Sequence, residues 1–182
     1  MNLPFAQHTT DAAPAAAPAA ASPKKLALIC AKSGLDESYP VLIMANAARM
    51  TGMEVSVFFT FYGLDVITKG KVDKLWVNMV GNPSTPMPPF VMGLPGMEVM
   101  ATSMMKKKMA ELELPEPHEM VEMIAASGCK LYACELALRM FGRTEGDLLP
   151  QVESVITATD FFEMADFLEP ESLVQFDARV VG

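Results

Sequence analysis

A chain of 182 residues, 51% of them hydrophobic, is long enough to bury one sizeable core with some length left for a tail. Its net charge of -8 and pI near 4.7 disfavour a polyanionic partner such as nucleic acid. Three cysteines without a pairing pattern do not describe a secreted disulfide scaffold, so the chain reads as cytoplasmic.

Residues 1–24 are rich in Ala and Pro, with neither a basic n-region nor a continuous apolar stretch, which argues against a signal peptide. They are expected to form a disordered arm ahead of one domain over 25–182. "KLALIC" (25–30) is a short apolar run ended by a turn and reads as a buried strand. Residues 35–50 carry a helical apolar stripe, with Asp36 as expected cap and Gly52 as terminator. "MEVSVFFTF" (53–61) is β-branched and aromatic, hence a second strand. "GLDVITKG" (63–70) reads as a short helix or turn, and "KLWVNMV" (74–80) is ambiguous. A Met/Pro-rich insert spans about 81–112, and its second part (96–112) is a helix candidate. Residues 116–127 form another, with Pro117 in the first turn. "CKLYA" (129–133) is a strand, "CELALRMFG" (134–142) a helix, "VESVITA" (152–158) a strand, 159–169 a helix and "SLVQF" (172–176) a closing strand.

Alternating strands and helices, with strands that are near-continuous apolar runs, predict a parallel sheet with helices on both faces. Chemistry in such sheets gathers at the carboxyl ends of the strands. Cys134 falls where a strand gives way to a helix, whose N–H groups and dipole favour a thiolate. That position favours a reactive thiol over a buried packing residue. If the segment is extended, Cys129 lies roughly 16 Å away at the other end of the strand. A disulfide needs Cα atoms within about 7 Å, so a structural role is expected for Cys129. Cys30 ends the first strand on the same edge as Cys134. Core packing is its plain reading, and a second thiol beside Cys134 is the alternative if the two strands are neighbours. Lys32, Ser33 and Gly34 in the following loop are candidates to line a pocket beside Cys134, although they also suit ordinary turn chemistry. Tyr132 is a further pocket candidate.

Other chemistries find less support. His8 lies in the tail and His118 opens a helix, expected to be far from the strand ends, so a Cys–His dyad is poorly supported. The three cysteines and His118 lack zinc-ligand spacing, and no metal is expected. No GxGxxG is present, and "GLDVITKGK" has the wrong count for a phosphate-binding loop. Lys106, Lys107 and Lys108 are expected to occupy a solvated helix face. The 16 methionines suit a soft core or an oligomer contact. Prolines interrupt the insert too often for a transmembrane helix, which leaves only loose contact with a membrane surface open.

At "SGCKLYACELALRMFG" the chain resembles the DsrE/DsrF-like family, also described as peroxiredoxin-like DsrE proteins. Three more stretches share the resemblance: "LALICAKSGLDESYPVLIMANAARMTGMEVSVFFTFYGLDVITK", "LPGMEVMATSMMKKKM" and "LLPQVESVITATDFFEMADF". The second of these looks like the insert of the longer, Met-rich subgroup found with sulfur-relay genes. The resemblance covers about residues 25–178. It implies a flavodoxin-like α/β domain in homo-oligomers. It also implies sulfane-sulfur handling without a cofactor, as a persulfide or thiosulfonate on the cysteine matched by Cys134. Implied partners are TusA-like carriers, rhodaneses, and heterodisulfide-reductase-like or sulfite-reductase machinery. Peroxidase activity is not carried over. A cytoplasmic sulfurtransferase or carrier is the leading expectation. The alternatives are a non-catalytic oligomeric scaffold or binding module and a thiol-redox sensor using Cys30 with Cys134.

Overall fold

The computed structural model describes residues 24–78 and 96–165. The expected arm, the first part of the Met/Pro-rich insert and the strand expected at 172–176 lie outside these residues.

Strand β1 (Lys25–Cys30) leads into helix α1 (Leu35–Met50) and returns as β2 (Glu54–Phe59). Gly52 makes the turn between them at φ 83°, a left-handed conformation that glycine adopts without penalty. Asp36 does not cap α1. Gly34 occupies that position, and the Asp36 carboxylate accepts the backbone N–H of Asn78 at 3.1 Å instead. After β2 come two 3-10 segments, Phe61–Ile67 and Val72–Lys74. Helix α2 (Met97–Glu111) and helix α3 (Pro117–Ala126) precede β3 (Lys130–Cys134). Helix α3 starts with Pro at its first position, and the Glu119 carboxylate accepts the backbone N–H of Glu116 at 2.9 Å. Helix α4 (Glu135–Met140) follows β3 directly, then β4 (Ser154–Ile156) and α5 (Ala158–Ala165).

The four strands are parallel and lie in the order β1-β2-β3-β4. This is the expected α/β class. The register puts Leu26, Leu28 and Cys30 on one face with Val55, Val57, Phe59, Leu131 and Ala133. Helices α1 and α3, packed against each other, cover that face. The other face carries Phe58 and Tyr132, and α5 supplies its cover. The Phe161 ring stacks on Phe58 at 4.9 Å and meets Tyr132 edge-on at 6.1 Å. The central parts of β1 and β3 are apolar on both sides because both faces are covered there.

Gly63 is fixed by a close approach. A Cβ there would stand 2.0 Å from the carbonyl oxygen of Cys30, so only glycine lets the Phe61–Ile67 segment lie against the end of β1. Among the described residues, no helix is long and apolar enough to cross a membrane.

Candidate functional site at the carboxyl edge of the sheet

Cys134 is the last residue of β3 and the N-cap of α4, extended at φ -73° and ψ 119°. The helix formers of "ELALRM" start the helix at once. Glu135 and Arg139 pair across one turn at 2.7 Å, with the acid at the N-terminal end and the base at the C-terminal end, where each suits the helix dipole. Alternation along β3 places Cys134 on the face of Tyr132, level with Ile156 of β4. Its thiol makes no capping hydrogen bond, and the residue is only 6% exposed.

The other cysteines are held differently. Cys30 ends β1 on the face covered by α1, and its thiol donates to the Lys32 carbonyl at 3.5 Å. Burial pushes its pKa up to about 12, outweighing a smaller lowering effect from the Lys32 backbone. Cys129 stands just before β3, at the other end of the sheet from Cys134, as expected. Burial pushes its pKa up to about 12 as well, although Arg49 nearby pulls the other way. Both are neutral thiols near pH 7.

Cys30 and Cys134 are not partners. The redox-pair expectation needed β1 and β3 to be neighbours, and β2 lies between them. Cys30 is level with Phe59, and Phe59 with Ala133. Two strand spacings, roughly 9.6 Å, already exceed the reach of a disulfide. The two thiols also point to opposite faces.

The expected pocket residues divide in the same way. Lys32, Ser33 and Gly34 line a cavity of about 580 Å3 with Tyr62, Asp65 and Trp76. Its charges are partly paired, with Lys32 at 2.8 Å from Glu37 and Lys71 at 3.3 Å from Asp65. Tyr132 lines a different cavity, of about 530 Å3, with Ser56, Lys130 and Met164. Cys134 is in the wall of neither. The pocket candidates therefore fall in two separate cavities.

His118 is also not where it was expected. Helix α3 runs back along the sheet to feed β3, so its first turn lies towards the carboxyl edge. There the imidazole Nδ1 sits 2.7 Å from an Asp73 carboxylate oxygen, on the α1 side of the sheet. Among the described residues, no group of three or more His, Cys, Asp or Glu side chains is placed to hold a metal ion.

One network was missed by sequence reasoning. The Arg143 guanidinium donates to Asp65 and, at 3.0 Å, to Thr68 Oγ1, and it lies 5.3 Å over the Phe141 ring. Phe141 in turn meets Tyr62 at 5.3 Å. These contacts tie the chain just after α4 to the 3-10 segment after β2. No local pattern in "FGRTEGD" points to partners so distant in sequence.

A model of the DsrE/DsrF/DrsH-like family matches residues 22–169. The chain is 39% identical over 150 residues to the sulfur carrier protein DsrE2 of Allochromatium vinosum, covering 78% of this chain and 92% of that one. This chain belongs to the DsrE/DsrF/DrsH-like family. It is also 26% identical over 138 residues to the uncharacterized protein YrkE of Bacillus subtilis, covering 71% of this chain and 84% of that one. Among solved structures it is similar to the ychN protein of E. coli, with a TM-score of 0.52 and 13% identity. That match covers 85% of this chain and the whole of the other, a likeness of fold alone. The family match takes in all four strands and all three cysteines.

Proposed function

We propose that this chain is a sulfane-sulfur carrier that holds sulfur on Cys134 and exchanges it with partner proteins. Its similarity to a protein named as a sulfur carrier supports the relay role. The observation that carries the choice of residue is the difference among the cysteines. Cys134 ends a strand and opens a helix at the carboxyl edge, whereas Cys30 is turned to the face covered by α1 and contacts the Lys32 carbonyl, and Cys129 stands at the opposite edge of the sheet.

In loading, the Cys134 thiolate attacks the outer sulfur of a donor persulfide. A new S–S bond forms, the donor S–S bond breaks, and the donor leaves as a thiolate. The proton stays on the outer sulfur, which is now Cys134–S–SH. In unloading, an acceptor thiolate attacks that outer sulfur and Cys134 is the leaving thiolate. Neither step consumes a reductant or needs a metal or organic cofactor. Because Cys134 is 6% exposed, both steps need the first turn of α4 to open. A six-residue helix with an exposed outer face opens at low cost. The partner classes that fit are TusA-like carriers, rhodaneses, and heterodisulfide-reductase-like or sulfite-reductase machinery, met in the cytoplasm by a homo-oligomer of this chain.

Intact mass after incubation with polysulfide or thiosulfate tests the reading. Sulfur adducts on wild type, Cys30→Ser and Cys129→Ser, and none on Cys134→Ser, are expected. A Cys134→Ser protein that loads like wild type overturns it.

One observation favours a second reading, an oligomeric binding module. Helix α2 buries Thr102 alone, whose hydroxyl accepts the Val77 N–H at 2.9 Å. Val99, Met100 and Met104 stand in solvent. A module of this kind would keep its function in Cys134→Ser.

A further inference from the structure

Part of the exposed apolar surface at the carboxyl edge lies on the helix that Cys134 opens. Leu136 is 69% exposed and Met140 52%, and their four-residue spacing puts them on one outward face of α4. Phe61 and Tyr62 are exposed on the neighbouring 3-10 segment, which packs against α4. The register explains why these elements meet. Phe59 is level with Ala133, so the chain two residues further on emerges beside the start of α4. Phe61 holds φ 47°, a left-handed conformation that bulky residues rarely adopt. A strained backbone thus presents an aromatic ring to water instead of to the core.

We infer that Leu136, Met140, Phe61 and Tyr62 form the docking surface for the protein that exchanges sulfur with Cys134. This rests on the carrier reading above. The occupant is a protein that presents a thiol or persulfide from an apolar, weakly charged surface. Three observations select it. Cys134 is nearly buried, so the turn that covers it must open before its sulfur is exchanged, and a partner's contact there favours that opening. The patch continues the helix that Cys134 caps, so a partner seated there contacts the turn that must open. The flanking charges, Glu135 and Arg139, are paired with each other, so the patch carries no net sign. Recognition is therefore apolar and nearly insensitive to salt.

The test uses the full chain loaded with polysulfide, as wild type and as a Leu136→Ser, Met140→Ser double variant. Both side chains are in solvent, and loading of Cys134 reports that the variant is intact. The loaded proteins are offered to a reduced TusA-like carrier or to glutathione. Wild type is expected to hand sulfur to the carrier faster than to glutathione at equal concentration. The variant is expected to lose at least about tenfold towards the carrier and nothing towards glutathione, as for a contact at an interface centre. A variant that serves the carrier at the wild-type rate overturns the docking surface. So does a variant that only becomes monomeric in light scattering, which makes the patch a contact between copies. A wild type that loads but prefers glutathione overturns the docking alone. A wild type that takes no sulfur overturns the carrier reading, and this surface with it.

Discussion

Cys30 and Cys134 each close a strand at the same edge of one parallel sheet, yet they are different chemical objects. Cys30 looks into the face covered by α1, donates to the Lys32 carbonyl, and has Gly63 pressed on its own carbonyl. Cys134 looks to the opposite face, makes no capping bond, and passes straight into a short helix whose outer surface is wet. A strand end is therefore not an environment. The face of the sheet and the element that follows decide whether a sulfur is locked in or can be uncovered.

The contrast is open to attack at the Cys30 end first, where the largest effects are expected. Cys30 and Cys129 have folded pKa values near 12 against an ordinary 9.0. Between those values the folded chain binds more protons than the unfolded chain, so stability falls as pH rises through the window. At its top each thiol accounts for about 4 kcal/mol, because every tenfold difference in proton affinity between the two states is worth about 1.4 kcal/mol. Urea melts from pH 8 to 12 measure the slope, and Cys30→Ala should flatten it. An unchanged slope in that variant means that Cys30 is less enclosed than described. Gly63→Ala comes next. Its new methyl group has no room beside the Cys30 carbonyl, so a loss of about 3 kcal/mol is expected in a denaturant melt. A neutral result sinks the tightly packed end of β1.

How much of this contrast a reader could extract from sequence follows from the range of the interactions. The elements were legible because their signals are local. The apolar run "KLALIC", the Gly52 stop, and the change at Cys134 from "KLYAC" to "ELALRM" placed β1, α1, β3 and α4 within a residue or two. The position of Cys134 between strand and helix was therefore readable in advance. Strand order was not, because it depends on which strands meet after the chain has folded back. That single unknown left open a second thiol at Cys30 beside Cys134, and a pocket beside Cys134 lined by Lys32. The capping role expected of Asp36 failed for a related reason, since its carboxylate is taken by Asn78, far along the chain. The place of His118 was in principle legible, because in a parallel sheet a helix joined to the next strand by a short turn runs antiparallel to it and starts at the carboxyl edge.

The smallest expected effect concerns the Cys134 end and the network beneath it. Arg143 and Asp65 are mostly shielded from water, with side-chain exposures of 13% and 20%. Arg143→Met keeps the bulk against Phe141 but removes the charged hydrogen bonds to Asp65 and Thr68. A loss of about 2 kcal/mol is expected. Arg143→Lys should recover little of it, because an ammonium cannot reproduce the forked contact with two acceptors. The more telling readout is local. The network anchors the chain just after α4, so its loss should let the Cys134 turn open more often and speed alkylation of Cys134 by iodoacetamide. Alkylation of Cys30 should stay slow, because Gly63, Lys32 and α1 are untouched. Equal acceleration at both sulfurs would mean global loosening, and the two strand ends would then be one environment after all.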